Sequence, residues 1–164
     1  MDIAVITLRL LEFLENDEIE HEVTVGTDEY EEFLAEKDLS NIFIDTIVLE
    51  ESVFISFDLG EVSIKEFIKN SEVFENLYYG DVAYIGAYEE VMGIKDMTQL
   101  VELIKYGLFN YPFYTNMTIR EVAEELVSEA NIPFYIEYCI DYEKLESQLI
   151  ADGYKETEFG VFAG

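Results

Sequence analysis

The chain has 164 residues, half of them apolar and 15% aromatic, with thirty-seven Asp and Glu against nine Lys and Arg, a formal charge of −28. Such a sequence can bury a core, as one domain or a few small lobes, and the apolar content excludes a disordered polyanion. The charge is far beyond the roughly 2–8 usual for a small soluble domain; its sign disfavours binding to nucleic acid or to an anionic membrane and points to a basic partner.

Residues 3–14 form an apolar, β-branched run, and Asn16-Asp17 marks a turn before 19–25, where Glu18, Glu20 and Glu22 alternate with Ile19, His21 and Val23. The period of two predicts a hairpin with one acidic face. Thr27 then caps a short helix over 28–37 that buries Tyr30, Phe33 and Leu34 and exposes Asp28, Glu29, Glu31, Glu32 and Glu36. A similar unit recurs: a strand over 42–49, a turn at Glu50-Glu51-Ser52, a strand over 53–58, and a helix over 63–70 burying Ile64, Phe67 and Ile68. By pattern this is a weak internal repeat of two ββα units.

Residues 71–79 read as a short helix, and 82–87 as a strand. Asp96 caps a helix with Met97, Leu100, Val101 and Ile104 on one side, stopped by Gly107. The segment 108–116, LFNYPFYTN, is aromatic and nearly uncharged, and is expected to be a packed connection between lobes. From Thr118 the chain shows its clearest helix, with Ile119, Val122, Ala123, Leu126, Val127 and Ala130 on the buried face and Glu121, Glu124, Glu125 and Glu129 outside. Thr118 and Glu121 have the spacing of a capping box. Arg120 is the one cation on that outer face, and like charges four apart cost roughly 0.2–0.5 kcal/mol per pair. After 134–138, Asp141 caps a helix to Ala151 that carries Glu143 and Glu146; Asp152-Gly153 stops it, and 154–162 form a terminal strand or hairpin. The expected fold is α+β and elongated, with two or three small lobes of antiparallel strands flanked by helices and a strongly acidic convex surface. The lobes would be 1–70 with the tandem ββα units, 71–110 with a strand and a helix, and 111–164, helical with the terminal hairpin. Net charge is −15, −5 and −8 over residues 1–60, 61–110 and 111–164, so the N-terminal part is the densest anion.

Candidates for catalysis are few. His21, the single histidine, lies among Ile19 and Val23 and reads as a satisfied structural residue. There is no Gly-rich phosphate loop, no HExxH, no paired-Cys spacing and no EF-hand loop. Cys139 lacks a histidine partner and reads as core or boundary. Among thirty-seven carboxylates any glycosidase or hard-metal spacing occurs by chance. No catalytic residue, cofactor or metal is expected, and with no leader or long apolar run the expected location is the host cell cytoplasm.

Mimicry of DNA accounts for both the ordered core and the carboxylate surface. B-DNA carries about one charge per 1.7 Å, so twenty-eight charges match about 48 Å, or roughly fourteen base pairs. A compact chain of this length has a radius of gyration of about 15 Å, a comparable scale.

Ile140-Asp141-Tyr142-Glu143, Leu149, Gly153 and the closing Gly160-Val161-Phe162 resemble the end of the ArdA antirestriction family. Tyr84-Ile85, Tyr88-Glu89, the Asp96 helix and the Thr118 helix follow in that family's order, so that the resemblance spans roughly 85–162. It implies an acidic α+β mimic of bent B-DNA that inhibits type I restriction–modification enzymes and is carried by phages or mobile elements. The chain departs from the family at Ala87, where the family tends to have Asp. It also lacks the acidic helical segment, between the Asp96 and Thr118 helices, that carries the family's dimer contact, and 42–70 looks like an insertion. Mimicry therefore carries over more readily than dimerisation, and a homodimer stays open.

The expected partner is a DNA-binding host defence enzyme. Its contacts would be the carboxylates of the first hairpin, the 28–37 helix and the Thr118 helix, with Glu143 and Glu146. An RNA-guided (CRISPR) nuclease is the alternative target within this class. A carboxylate-based hydrolase, or an acidic module for an unrelated basic host protein, are the alternatives of other classes.

Overall fold

The computed structural model describes residues 3–51, 53–78 and 80–164. Ser52, expected in the second turn, and Tyr79, the end of the segment from Ser71, lie outside the described residues. The fold is α+β, with a five-stranded and a three-stranded sheet, both antiparallel. Contacts group the chain into two compact units, Met1–Val82 with Gly93–Leu108, and Ala83–Met92 with Phe109–Gly164. This grouping and the division at 70 and 110 differ in the middle segment, whose two helices go mostly to different units.

In the first unit the expected hairpin is β1 (Val5–Leu14) and β2 (Asp17–Thr24), joined by a two-residue turn. Strand β3 (Ile42–Glu50) pairs with the other side of β1, followed by β4 (Phe54–Phe57), in the order β2-β1-β3-β4; β5 (Val62–Ser63) also pairs with β3. The two ββα units thus share one sheet. Their first strands, β1 and β3, form the antiparallel centre, each with its own hairpin partner outside.

Alternation along β1 turns Ile6, Leu8 and Leu10 into the core, opposite Ile44, Ile47 and Leu49 of β3. Each such side chain stabilises the fold by about 1.5–3 kcal/mol on burial. Helices α1 (Asp28–Glu36) and α2 (Ile64–Lys69) cover that face with Tyr30, Ile64 and Phe67. Thr27 caps α1 by accepting from the Tyr30 N–H, and Ser63 caps α2 by accepting from the Lys65 N–H. The register shifts between Arg9 and Leu10, where Asp45 is the extra residue on β3. Residues 71–73 form one 3-10 turn.

The segment expected as a strand, 82–87, lies in helix α3 (Asp81–Met92). All six of its residues are buried. A short, uninterrupted apolar run looks the same whether it is a buried strand or a helix enclosed on all sides, because neither leaves a period in the sequence. Gly93, at φ +78°, follows the helix. Asp96 caps α4 (Met97–Glu102) as expected, and a π turn over Leu103–Gly107 continues it.

In the second unit β6 (Phe113–Thr115), β8 (Gly160–Ala163) and β7 (Tyr154–Thr157) form the sheet in that order. Segment 108–116 is more than a connection: it supplies β6, and Phe109 and Phe113 pack on the buried Tyr84 ring at centroid distances of 4.8 and 5.7 Å. Helix α5 (Ile119–Glu129) carries the capping box, and α6 (Phe134–Glu137) and α7 (Tyr142–Ala151) follow. Ile119, Val122, Ala123, Leu149 and Val161 form the core, with Leu126 half-buried against it. Ala130, expected on the buried face, is exposed because α5 ends one residue earlier.

Candidate functional site

Strand β2 is an edge of the first sheet. Its Glu18, Glu20 and Glu22 stand opposite Phe13, Leu11 and Arg9, on the face away from the helices. Alternate residues on a strand are about 6.8 Å apart, twice the 3.4 Å axial rise per phosphate of one DNA strand. Arg9 Nε approaches Glu22 Oε2 at 3.4 Å, but both side chains are more than half exposed, so the pair contributes little.

Against the other face of the same edge lies α1, placed by the Phe33 ring 5.0 Å from that of His21. Its Asp28, Glu29, Glu31, Glu32 and Glu36 are all exposed, and its last turn holds no cation. The helix dipole favours carboxylates in the first turn and disfavours Glu36 in the last. Among the described residues, Glu18, Glu20 and these five helix carboxylates enter no ion pair. Two rows of carboxylates, with Arg9 beside Glu22 as their one ion-pair partner among the described residues, therefore bracket one sheet edge.

Beneath them, Glu12 is a buried carboxylate, with Oε1 3.2 Å from His21 Nε2 and 3.4 Å from Lys37 Nζ. The hydrogen bond with His21 holds its carboxyl below the usual glutamate range; burial opposes this and Lys37 adds to it. His21 is the satisfied structural residue expected.

The second unit treats its acids differently. Glu121 accepts from the Thr118 N–H at 2.8 Å and is engaged in the cap. Arg120 reaches Glu124 at 3.0 Å and Glu146 at 3.8 Å, and its guanidinium carbon lies 4.3 Å from the centre of the Tyr142 ring. Glu125, expected on the outer face, is only half-exposed, with Oε2 buried and without a hydrogen-bond partner. Its charge helps to hold the Tyr114 phenol above its ordinary value, after burial, the neighbouring Tyr154 and Glu129. Glu129 and Glu143 remain exposed without a cation among the described ion pairs. Of the fourteen carboxylates expected to meet a partner, the eight of the first unit enter no described ion pair except Glu22 with Arg9, whereas in the second unit Glu121, Glu124 and Glu146 are engaged and Glu129 and Glu143 enter no described ion pair.

No family model, curated protein or solved structure matches the chain. Function has to be read from the side chains.

Two further features escaped the sequence. At the β3 bulge a cavity of 390 Å³ is lined by Arg9, Glu20, His21, Glu22 and Asp45, with Leu10 and Leu11; nothing in the local pattern announces the bulge. In the second unit, Phe134, Tyr138 and Tyr142, spaced four apart, line a 350 Å³ cavity with Glu137. That spacing is visible in the chain, but Phe134–Tyr138 carries no polar alternation to set a face. Cys139, expected as core or boundary, is exposed because it follows this short exposed helix. Among the described residues no group of three or more His, Cys, Asp or Glu is placed to hold a metal ion, and no helix is long and apolar enough to cross a membrane.

Proposed function

We propose that the protein is a DNA-mimic inhibitor. It would occupy the cationic DNA-binding site of a host defence nuclease or methyltransferase, with a type I restriction–modification enzyme as the first target and an RNA-guided nuclease as the alternative. The observation that carries this is the pair of carboxylate rows around β2, held on a strand and a helix and, apart from Glu22 beside Arg9, without an ion-pair partner among the described residues. The resemblance of residues 85–162 to the ArdA family supports the same direction.

Lys and Arg that normally hold phosphate would hold carboxylates, in charge-assisted hydrogen bonds of similar geometry. No cofactor takes part. Contacts of this kind are many and individually modest, at about 0.2–1 kcal/mol for exposed pairs.

The test is competition with duplex DNA for a purified type I restriction–modification enzyme. Changing Asp28, Glu29, Glu31 and Glu32 together to the amides should weaken inhibition strongly and flatten its salt dependence, whereas Glu31→Gln alone should change it little. If a single substitution such as Glu20→Gln abolishes all inhibition, many modest contacts are not what acts and mimicry is wrong.

A further inference from the structure

The second unit displays four large apolar side chains on one short stretch. Phe134 is 73% exposed, Tyr135 63%, Ile136 46% and Tyr138 87%. Isolated exposed apolar residues need no explanation, but a contiguous set marks a contact surface. Phe134 and Tyr138 meet edge to face, with ring centres 6.4 Å apart and planes at 84°. With Tyr142 and Glu137 they line a cavity of 350 Å³.

The lining sets the chemistry of the occupant. Three aromatic rings and one carboxylate form a surface that attracts a cation through ring quadrupoles and direct charge. Tyr142 already does this within the chain, with the Arg120 guanidinium 4.3 Å from its ring centre. A second copy is an unfavourable occupant, because it would bring another −28 against this surface. A planar guanidinium suits the rings better than an ammonium, since it stacks on aromatic faces and is more weakly hydrated.

We infer that the Phe134, Glu137, Tyr138 and Tyr142 cavity is a receptor for an arginine side chain of a basic partner. It acts as an anchoring point distinct from the diffuse carboxylate rows. The inference deepens the mimic proposal and rests on it for the partner's basic character. It also divides the labour between units: the first supplies long-range attraction, and the second supplies a site that recognises side-chain shape as well as charge.

The test is a titration of the 164-residue chain with tetra-arginine amide, followed by NMR, with tetra-lysine amide as a control of equal charge. The arginine peptide should shift the Phe134 and Tyr138 ring signals and bind more tightly than the lysine peptide. Phe134→Leu and Tyr138→Leu, both exposed and compatible with the fold, should each weaken arginine-peptide binding about two- to five-fold. Glu137→Gln should weaken both peptides. Shifts confined to the β2 and α1 carboxylates, with the rings silent, would overturn the receptor and leave mimicry standing. Ring shifts that grow with protein concentration alone would place a second copy there and also overturn it. Ring shifts from the arginine peptide, in a protein that fails to compete with DNA, would support the receptor while removing the mimic proposal.

Discussion

His21 Nε2 lies 3.2 Å from Glu12 Oε1, joining diagonal neighbours on the β1–β2 ladder inside the helix-covered face. That bond comes first among the causes that keep the Glu12 carboxyl below its ordinary value of 4.5. A carboxyl whose folded value is depressed contributes stability that is complete above the unfolded value and is lost as pH falls through the folded one. Stability should therefore decline as pH drops below 4.5. Glu12→Gln should cost about 1–3 kcal/mol near neutrality and make that decline shallower. Urea melts of both proteins across this range give the comparison; an equally steep acid decline in the variant would show that the pair does not carry it.

Glu125 should respond in the opposite way. Its buried oxygen without a partner and its like-charged neighbours Glu121 and Glu129 both oppose the folded state. Glu125→Gln keeps the shape and removes the charge, so thermal melting should show no loss, or a gain of up to about 1 kcal/mol. A clear loss would mean that the carboxylate has a partner after all.

The start of α5 is held twice, by Thr118 and by a residue distant in sequence. Glu156 of β7 accepts from the Ile119 N–H at 3.0 Å, so one carboxylate ties sheet to helix at the positive end of the helix dipole. Thr118→Ala and Glu156→Ala should each cost about 1 kcal/mol. Because they serve the same helix end, the double variant should not be additive. Denaturant unfolding of the three variants tests this, and strict additivity would mean that the two caps act independently.

Gly160 should tolerate no side chain. Its φ is +139°, and an added Cβ would collide with the Tyr114 carbonyl of the paired strand β6 and come within 2.9 Å of Asn116 N just beyond it. Gly160→Ala should destabilise by about 2–4 kcal/mol, visible as a large drop in Tm. A mild effect would mean that β6 can move aside.

What the chain made legible was local. At Thr27, Asp96, Thr118 and Asp141 the cap residue's own side-chain oxygen accepts from the backbone N–H three residues on, so their helices could be read from spacing alone. The hairpin of β1 and β2 follows from the same short range. Residues 82–87 failed this test because a fully buried helix has no polar face to reveal its period. The joining of the two ββα units was hidden for a related reason: β1 is apolar enough to be central, yet nothing in it names β3 as its second partner. At the candidate site, the free carboxylates of α1 were legible from exposure, and Arg120 with Glu124 from their i, i+4 spacing, whereas the approach of Arg120 to Glu146 depends on α7 lying beside α5. Glu125 was misassigned because a helical wheel separates faces by angle, and a residue at the margin can lie on either side.

The central pairing of β1 with β3 also sets the order in which the first sheet can assemble. The β1–β2 turn closes locally, on the microsecond scale of isolated hairpins, while the central seam brings together partners from Glu12 and Ile42 to Val5 and Glu50, thirty to forty-five positions apart. Closing that span loses chain entropy before any contact compensates for it. The seam, with its bulge at Asp45, is then the rate-determining region. Substitutions along it should slow refolding, whereas substitutions in the α1 carboxylate row should leave the refolding rate almost unchanged.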